Sequence, residues 1–213
     1  MIPIPARMQK LDRDRRGLPV PVIVLRNDDG TPLFAANDGQ AVQKIIAQDR
    51  CEVCGEKLLR GRWFVGGHLS AFAEHGRFLD PPMHDECAHY ALQVCPYMAA
   101  PSYGRLVGKT ALARSDRKDI IQLDDPTAAN TRPPFFVAVM VVGQVVSTER
   151  VLPGVDVEMS RLFHPKPGSV RRVEIWLQGR QIVGAALKEL KEFIGASLAS
   201  IDEKPRADLW ALL

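Results

Sequence analysis

Four residues near the middle of the chain constrain its fold more than any others: Cys51 and Cys54 in "CEVCG", and His84 and Cys87 in "MHDECAH". Two residues between a pair of thiols let one tight turn aim both sulfurs at a common point. Gly55 follows directly, where such turns call for a positive φ. A helix is expected over "HDECAHYALQVC", and His84 and Cys87 lie three apart at its start, on one side of the first turn. Three thiolates and an imidazole are the donor set of a tetrahedral Zn²⁺, with bonds of about 2.0–2.3 Å. The pattern predicts that Cys51, Cys54, His84 and Cys87 converge on one closed, structural zinc site. A knuckle, an intervening loop and hairpin over residues 55–83, and a helix carrying the second ligand pair make a treble-clef-like finger. A Cys-x-x-Cys alone would also suit a redox pair, and the His-x-x-Cys partner is what favours a metal. Cys95, two turns further along the expected helix, is read as a small core hydrophobe. His89 is read as a surface histidine or a support for the ligands.

The rest of the chain has to supply the core. With 213 residues, 46% of them hydrophobic, it can fill one sizeable core or two small ones. No apolar run approaches a membrane span; the longest candidate, residues 134–147, is short and β-branched. The start of the chain lacks the apolar stretch of a secretory signal. A reducing cytoplasm is therefore expected, where four cysteines serve as metal ligands or free thiols. The net charge of +3 is concentrated in residues 1–16, where Arg7, Lys10, Arg13, Arg15 and Arg16 stand against Asp12 and Asp14. This segment is expected to be a solvated, mobile basic arm. Its charge also offers contacts to nucleic acid or to an acidic partner.

Residues 17–98 read as a hairpin plus the zinc module. "LPVPVIVLRNDDGTPLFAAN" gives strand, turn and strand, with the turn at residues 27–30. Asp38 is placed to cap a helix over residues 39–49 whose apolar face is Ala41, Val42, Ile45 and Ile46. "RWFVGG" reads as a short strand broken at Gly66-Gly67. Prolines in "DPPM" prevent an earlier start to the helix after it, and Ala88, Ala91, Leu92 and Cys95 form that helix's buried face. Residues 99–134 are polar and read as a linker. Residues 135–213 read as β-rich, with strands over 135–152 and 170–179 and an irregular connection over 153–169. An amphipathic helix over 183–201 closes the chain, with Leu187, Leu190, Ile194, Leu198 and Ile201 on one face. The expected class is α+β.

Catalytic patterns are scarce. An HNH-type nuclease would combine a finger with a general-base histidine at the end of a strand, and His68 follows "RWFVGG". Gly67 stands where that family has its aspartate, and His84 cannot serve both the finger and a second metal. "GRLVGKTAL" comes near a phosphate loop, but its first glycine is one residue too close to Gly-Lys-Thr.

The segments "RGLPVPVIV", "CEVCGEKL", "RWFVGGHLSA", "DPPMHDECAHYALQVCPYM" and "RRVEIWLQGR" resemble, in the same order, a group of uncharacterised bacterial, prophage and phage proteins. The resemblance covers most of the chain and is most specific over residues 51–98. It implies zinc on Cys51, Cys54, His84 and Cys87. The group commonly carries proline where this chain has His68. It brings no established activity. The expectation is a zinc-binding, non-enzymatic interaction protein of phage or prophage type, acting on a host or phage protein in the host cytoplasm. The alternatives are a nucleic-acid-binding protein that uses the basic arm, and an HNH-like metal-dependent endonuclease.

Overall fold

The structure is a computed structural model that describes residues 2–100, 132–143, 146–150 and 161–213. It contains helices and antiparallel sheets, an α+β fold. Strands β1 (Val24–Arg26) and β2 (Pro32–Asn37) form the expected hairpin. Its turn closes through the Gly30 N–H on the Asn27 carbonyl and the Asn27 N–H on the Thr31 carbonyl. Helix α1 (Gly39–Ala47) begins at Asp38, whose Oδ1 accepts the Ala41 N–H at 3.0 Å, and it buries Ile45. Strand β3 (Gly61–Gly67) runs through the Gly-Gly pair and does not break there. A one-turn helix, α2 (His68–Phe72), follows immediately. Helices α3 (Asp85–Val94) and α4 (Pro96–Ala99) share Cys95 as a corner.

Strand β4 (Phe136–Val142) ends near Gly143, and β5 (Val146–Arg150) pairs separately with β6 (Arg161–Pro165). The long strand expected over 135–152 is thus two strands, and the connection expected to be irregular contains a third. Strands β7 (Val170–Leu177) and β8 (Arg180–Ile182), helix α5 (Ala185–Ala199) and the short α6 (Ala207–Trp210) complete the chain. Most of the expected linker, residues 101–131, lies outside the described residues. No helix among the described residues is long and apolar enough to cross a membrane.

The element that unites the molecule is an antiparallel sheet in the order β3-β4-β7-β8. It takes β3 from the cysteine-bearing region and the other three strands from the carboxy-terminal region. Strand periodicity sends alternate side chains to opposite faces. Phe64, Val137, Val139, Val141 and Ile175 point to one side, where Ala71 and Phe72 of α2, Ile194 and Leu198 of α5, and Leu209 of α6 cover them. Trp63, Phe136, Ala138 and Trp176 point to the other, where they meet Cys51, Cys54, Met83, Cys87, Ala88 and Leu92. One sheet therefore separates two cores. Of the apolar face expected on α5, Ile194 and Leu198 are fully buried, Leu187 and Leu190 pack at its margin, and Ile201 is exposed past its end.

Candidate metal centre

The four sequence-predicted ligands come together. Cys51, Cys54, His84 and Cys87 are all buried, and one ligand atom from each lies within 4.8 Å of the other three. Local backbone geometry explains each position. After α1, Asp49 adopts a positive φ of 53° and turns the chain. Arg62 fixes that turn with two bonds to the Asp49 carboxylate, at 2.6 and 2.9 Å. The knuckle closes when the Cys51 N–H donates to the Glu56 carbonyl and the Gly55 N–H donates to the Cys51 carbonyl. Gly55 has the expected positive φ of 72°, and a Cβ there would also press on Val22. Arg50 donates to the Gly55 carbonyl at 2.8 Å and holds the outside of the turn.

The second half is set against the first by a single β-bridge. Trp63 of β3 and Met83 exchange both backbone bonds at 2.9 Å, which puts His84 next in line as the N-cap of α3. Cys87 is then one turn in. The His84 ring is oriented from both ends. Its Nε2 lies 3.0 Å from the Lys57 carbonyl, which can only accept, so Nε2 carries the proton. Its Nδ1 faces the Cys54 sulfur at 3.4 Å with its lone pair free for a metal. Fixing an imidazole ligand through its far nitrogen is the usual second contact of a metal-bound histidine.

The electrostatics of the thiols point the same way. Hydrogen bonds from Cys51 and then Cys87, with help from the Glu56 N–H, hold the Cys54 thiol far below its ordinary value. Cys51 is pushed up by its bond to Cys54, and Cys87 by its bonds to Cys51 and Cys54. Three sulfurs so close cannot all ionise by themselves; one thiolate shares the protons of the other two. A divalent cation that displaces those protons removes the conflict, which is how metal binding and thiol deprotonation are coupled. The donor set and the ring tautomer both fit a metal ion. Four donors also fill a tetrahedron and leave no position for a reacting water.

Other expected participants lie elsewhere. Cys95 is outside the cluster. It caps the end of α3, and it is half-buried where a core position was expected; Ala91 is likewise only half-buried. His68 opens α2 with its ring between Phe135 and Phe193, at centroid distances of 5.1 and 5.5 Å. Its Nδ1 has no hydrogen-bond partner, and burial lowers its pKa. Gly67 packs so closely that a Cβ would come within 2.8 Å of Pro133, which leaves no room for an aspartate.

His89 corrects the surface assignment most clearly. It points inward: Nε2 lies 2.8 Å from Glu174 of β7 and Nδ1 lies 2.8 Å from the Asp85 carbonyl. Both partners accept, so the geometry suits a doubly protonated ring. Its edge meets Trp63 and Trp176. Glu174 also accepts from the Trp176 indole at 2.9 Å, and its second oxygen lies 2.7 Å from Arg172. Burial pushes Glu174 upward, but the bonds from His89 and Trp176 outweigh it and keep the carboxyl low. Sequence alternation in "RRVEIWL" places Glu174 opposite Val173 and Ile175, on what would ordinarily be a solvent face. Only the packing of α3 shows that this face is covered.

The segment 2–16 is not the mobile arm expected. Met8 is buried in the finger-side core, and Arg7 and Lys10 are bonded to glutamates beside the ligands. No protein-family model, curated protein or solved structure matches the chain.

Proposed function

We propose that this chain is a zinc-binding, non-enzymatic interaction protein whose Zn²⁺ is structural. Cys51, Cys54, His84 and Cys87 hold the ion in a treble-clef-like finger. The observation that carries the reading is the convergence of four buried donors, with His84 Nε2 already committed to Lys57 and Nδ1 left facing the thiols. Three sulfurs and one nitrogen in a closed set favour zinc over harder or redox-active metals. Knuckle, β3, the Trp63–Met83 bridge and the ligand-bearing helix α3 follow one another as a treble clef requires, with the second hairpin strand reduced to that bridge. The ion takes the place of apolar packing in a region rich in glycine, proline and charge.

The cytoplasmic setting, the phage or prophage context and the host or phage protein partner rest on the sequence resemblance. The nucleic-acid reading draws on the basic residues 1–16, but Arg7 and Lys10 spend their charge on Glu56 and Glu86. The nuclease reading needs His68 as a base, and its ring is enclosed by phenylalanines.

Metal analysis of protein purified without added zinc tests the main claim. About one Zn per chain is expected, with loss in Cys51→Ser and Cys87→Ser. Zinc retained in both variants would mean that other residues bind it. Mg²⁺- or Mn²⁺-dependent plasmid nicking that disappears in His68→Ala would replace the non-enzymatic reading with the nuclease one. A stoichiometric partner in a pull-down from the native host supports the interaction role.

A further inference from the structure

We infer that Arg7 and Met8 form a clamp across the metal centre, so that the rate of metal loss is set in part from outside the ligand set. The inference deepens the zinc reading above and rests on it. Residues Ala6–Met8 form one 3₁₀ turn, closed by the Met8 N–H on the Pro5 carbonyl. That turn drives the Met8 side chain into the core that contains Cys51, Cys54 and Cys87, where it is 2% exposed. Ile4 and Leu11 pack against the same core. Arg7 then spans the site from outside. Its Nη1 bonds Glu56 at 2.6 Å, and its Nε bonds Glu86. Glu56 sits two residues past Cys54, and Glu86 immediately precedes Cys87. One guanidinium therefore ties the knuckle half of the site to the helix half, a task for which its planar fork of donors is suited. Lys10 adds a bond to the other oxygen of Glu56 at 2.7 Å.

Metal leaves such a site when the two halves separate. That separation must break the two-ended Arg7 contact and expose Met8. Contacts that have to break before the halves part add to the barrier that the metal must cross to leave. Arg7 touches no ligand atom, so its role is one of positioning. Exposed ion pairs are individually weak, and the expected effect is correspondingly modest.

The test is the transfer of zinc from the full-length, zinc-loaded chain to excess chromogenic chelator, followed in time. Arg7→Ala and Glu86→Ala are each expected to speed transfer about one-and-a-half- to fivefold. The double variant should be little faster than the faster single one, because both remove the same contact. Arg180→Ala, on the exposed β8, should release zinc at the wild-type rate. Wild-type rates in both Arg7→Ala and Glu86→Ala would overturn the clamp. A second measurement needs no variant. Trypsin should spare the bonds after Arg7 and Lys10 in zinc-loaded wild type and cut them after chelation, and equal cutting in both states would also overturn the clamp. A wild-type chain that holds no zinc defeats the zinc reading and the clamp together, whereas zinc-bound wild type with unaltered variant rates defeats the clamp alone.

Discussion

The two faces of the β3-β4-β7-β8 sheet are closed by different chemistry. On the helix side, phenylalanine, valine, isoleucine and leucine meet α2, α5 and α6, and burial of apolar area is enough. Each fully buried side chain of this kind contributes roughly 1.5–3 kcal/mol. On the finger side the cover is mixed: Met8, Val53, Leu58, Met83, Tyr90 and Leu92 are buried beside three cysteines, Ala88, His84, His89 and the charged groups around Glu56 and Glu174. That face adds directional contacts to apolar burial, namely the ligand set, the His89–Glu174–Trp176 group and the Arg7 bridge. The first core spreads its stability over many close-packed apolar side chains. The second depends on a few atoms whose removal leaves charge or a thiol uncompensated.

The sharpest way to break this comparison is to remove the metal. Structural zinc in finger peptides supplies about 10–16 kcal/mol, so chelation should disorder the finger side first. Trp63 and Trp176 lie on that side, and Trp210 packs against the other. Chelation should therefore red-shift part of the tryptophan fluorescence and leave a Trp210 contribution unshifted. A uniform shift of all emission would show that the two cores melt as one.

Next in size is a large-to-small change in the apolar core. Phe64→Ala, at a fully buried position, should cost about 3–5 kcal/mol. It should lower the thermal midpoint while the folded variant keeps the zinc content of wild type. Loss of zinc in a variant that remains folded would blur the distinction between the two sides.

His89→Gln should cost less, about 1.5–3 kcal/mol, the range for hydrogen bonds to charged groups. It also carries a pH signature. The bond to Glu174, and then the Asp85 carbonyl, hold His89 above an ordinary imidazole. Its contribution is complete below the titration of the unfolded imidazole and is lost as pH rises through the folded value. The wild-type thermal midpoint, with zinc saturating, should fall toward the variant's as the solution is made alkaline. Parallel curves would mean that His89 acts only by shape.

The smallest expected change has the opposite sign. Glu52 is buried beside Cys51 with an oxygen that has no partner, and burial, then nearby Asp80, raises its carboxyl well above the ordinary range. The folded state thus prefers the protonated acid, and stability falls as pH rises above the titration of the unfolded carboxyl toward that of the folded one. Glu52→Met removes the unsatisfied group and should stabilise the protein by about 1 kcal/mol, with a larger gain at higher pH. Destabilisation in Glu52→Met, measured by chemical denaturation, would show that the carboxyl has a partner.

The candidate site was legible because its signal is local. A Cys-x-x-Cys-Gly turn and a His-x-x-Cys helix start state their own geometry within four residues each, and the donor chemistry asks them to meet. The β1–β2 hairpin, the Asp38 cap and the buried face of α5 were readable for the same reason. The two helices α2 and α6 were harder, since one turn is too short to show a period. His89 and Glu174 could not be found by pattern at all: each sits on a face that periodicity assigns to solvent.

The sequence by itself determined which four residues can hold a metal and the α+β class, because ligand spacing, turn chemistry and apolar periodicity act over a few residues. Only the tertiary structure decided that β3 joins β4 in one sheet, that Arg7 bridges Glu56 and Glu86 while Met8 enters the core beside the cysteines, and that His89 and Glu174 meet between α3 and β7. Those contacts join positions between about 50 and 85 residues apart. They exist because two cores must be closed on opposite faces of the same sheet, a demand that no short stretch of chain expresses.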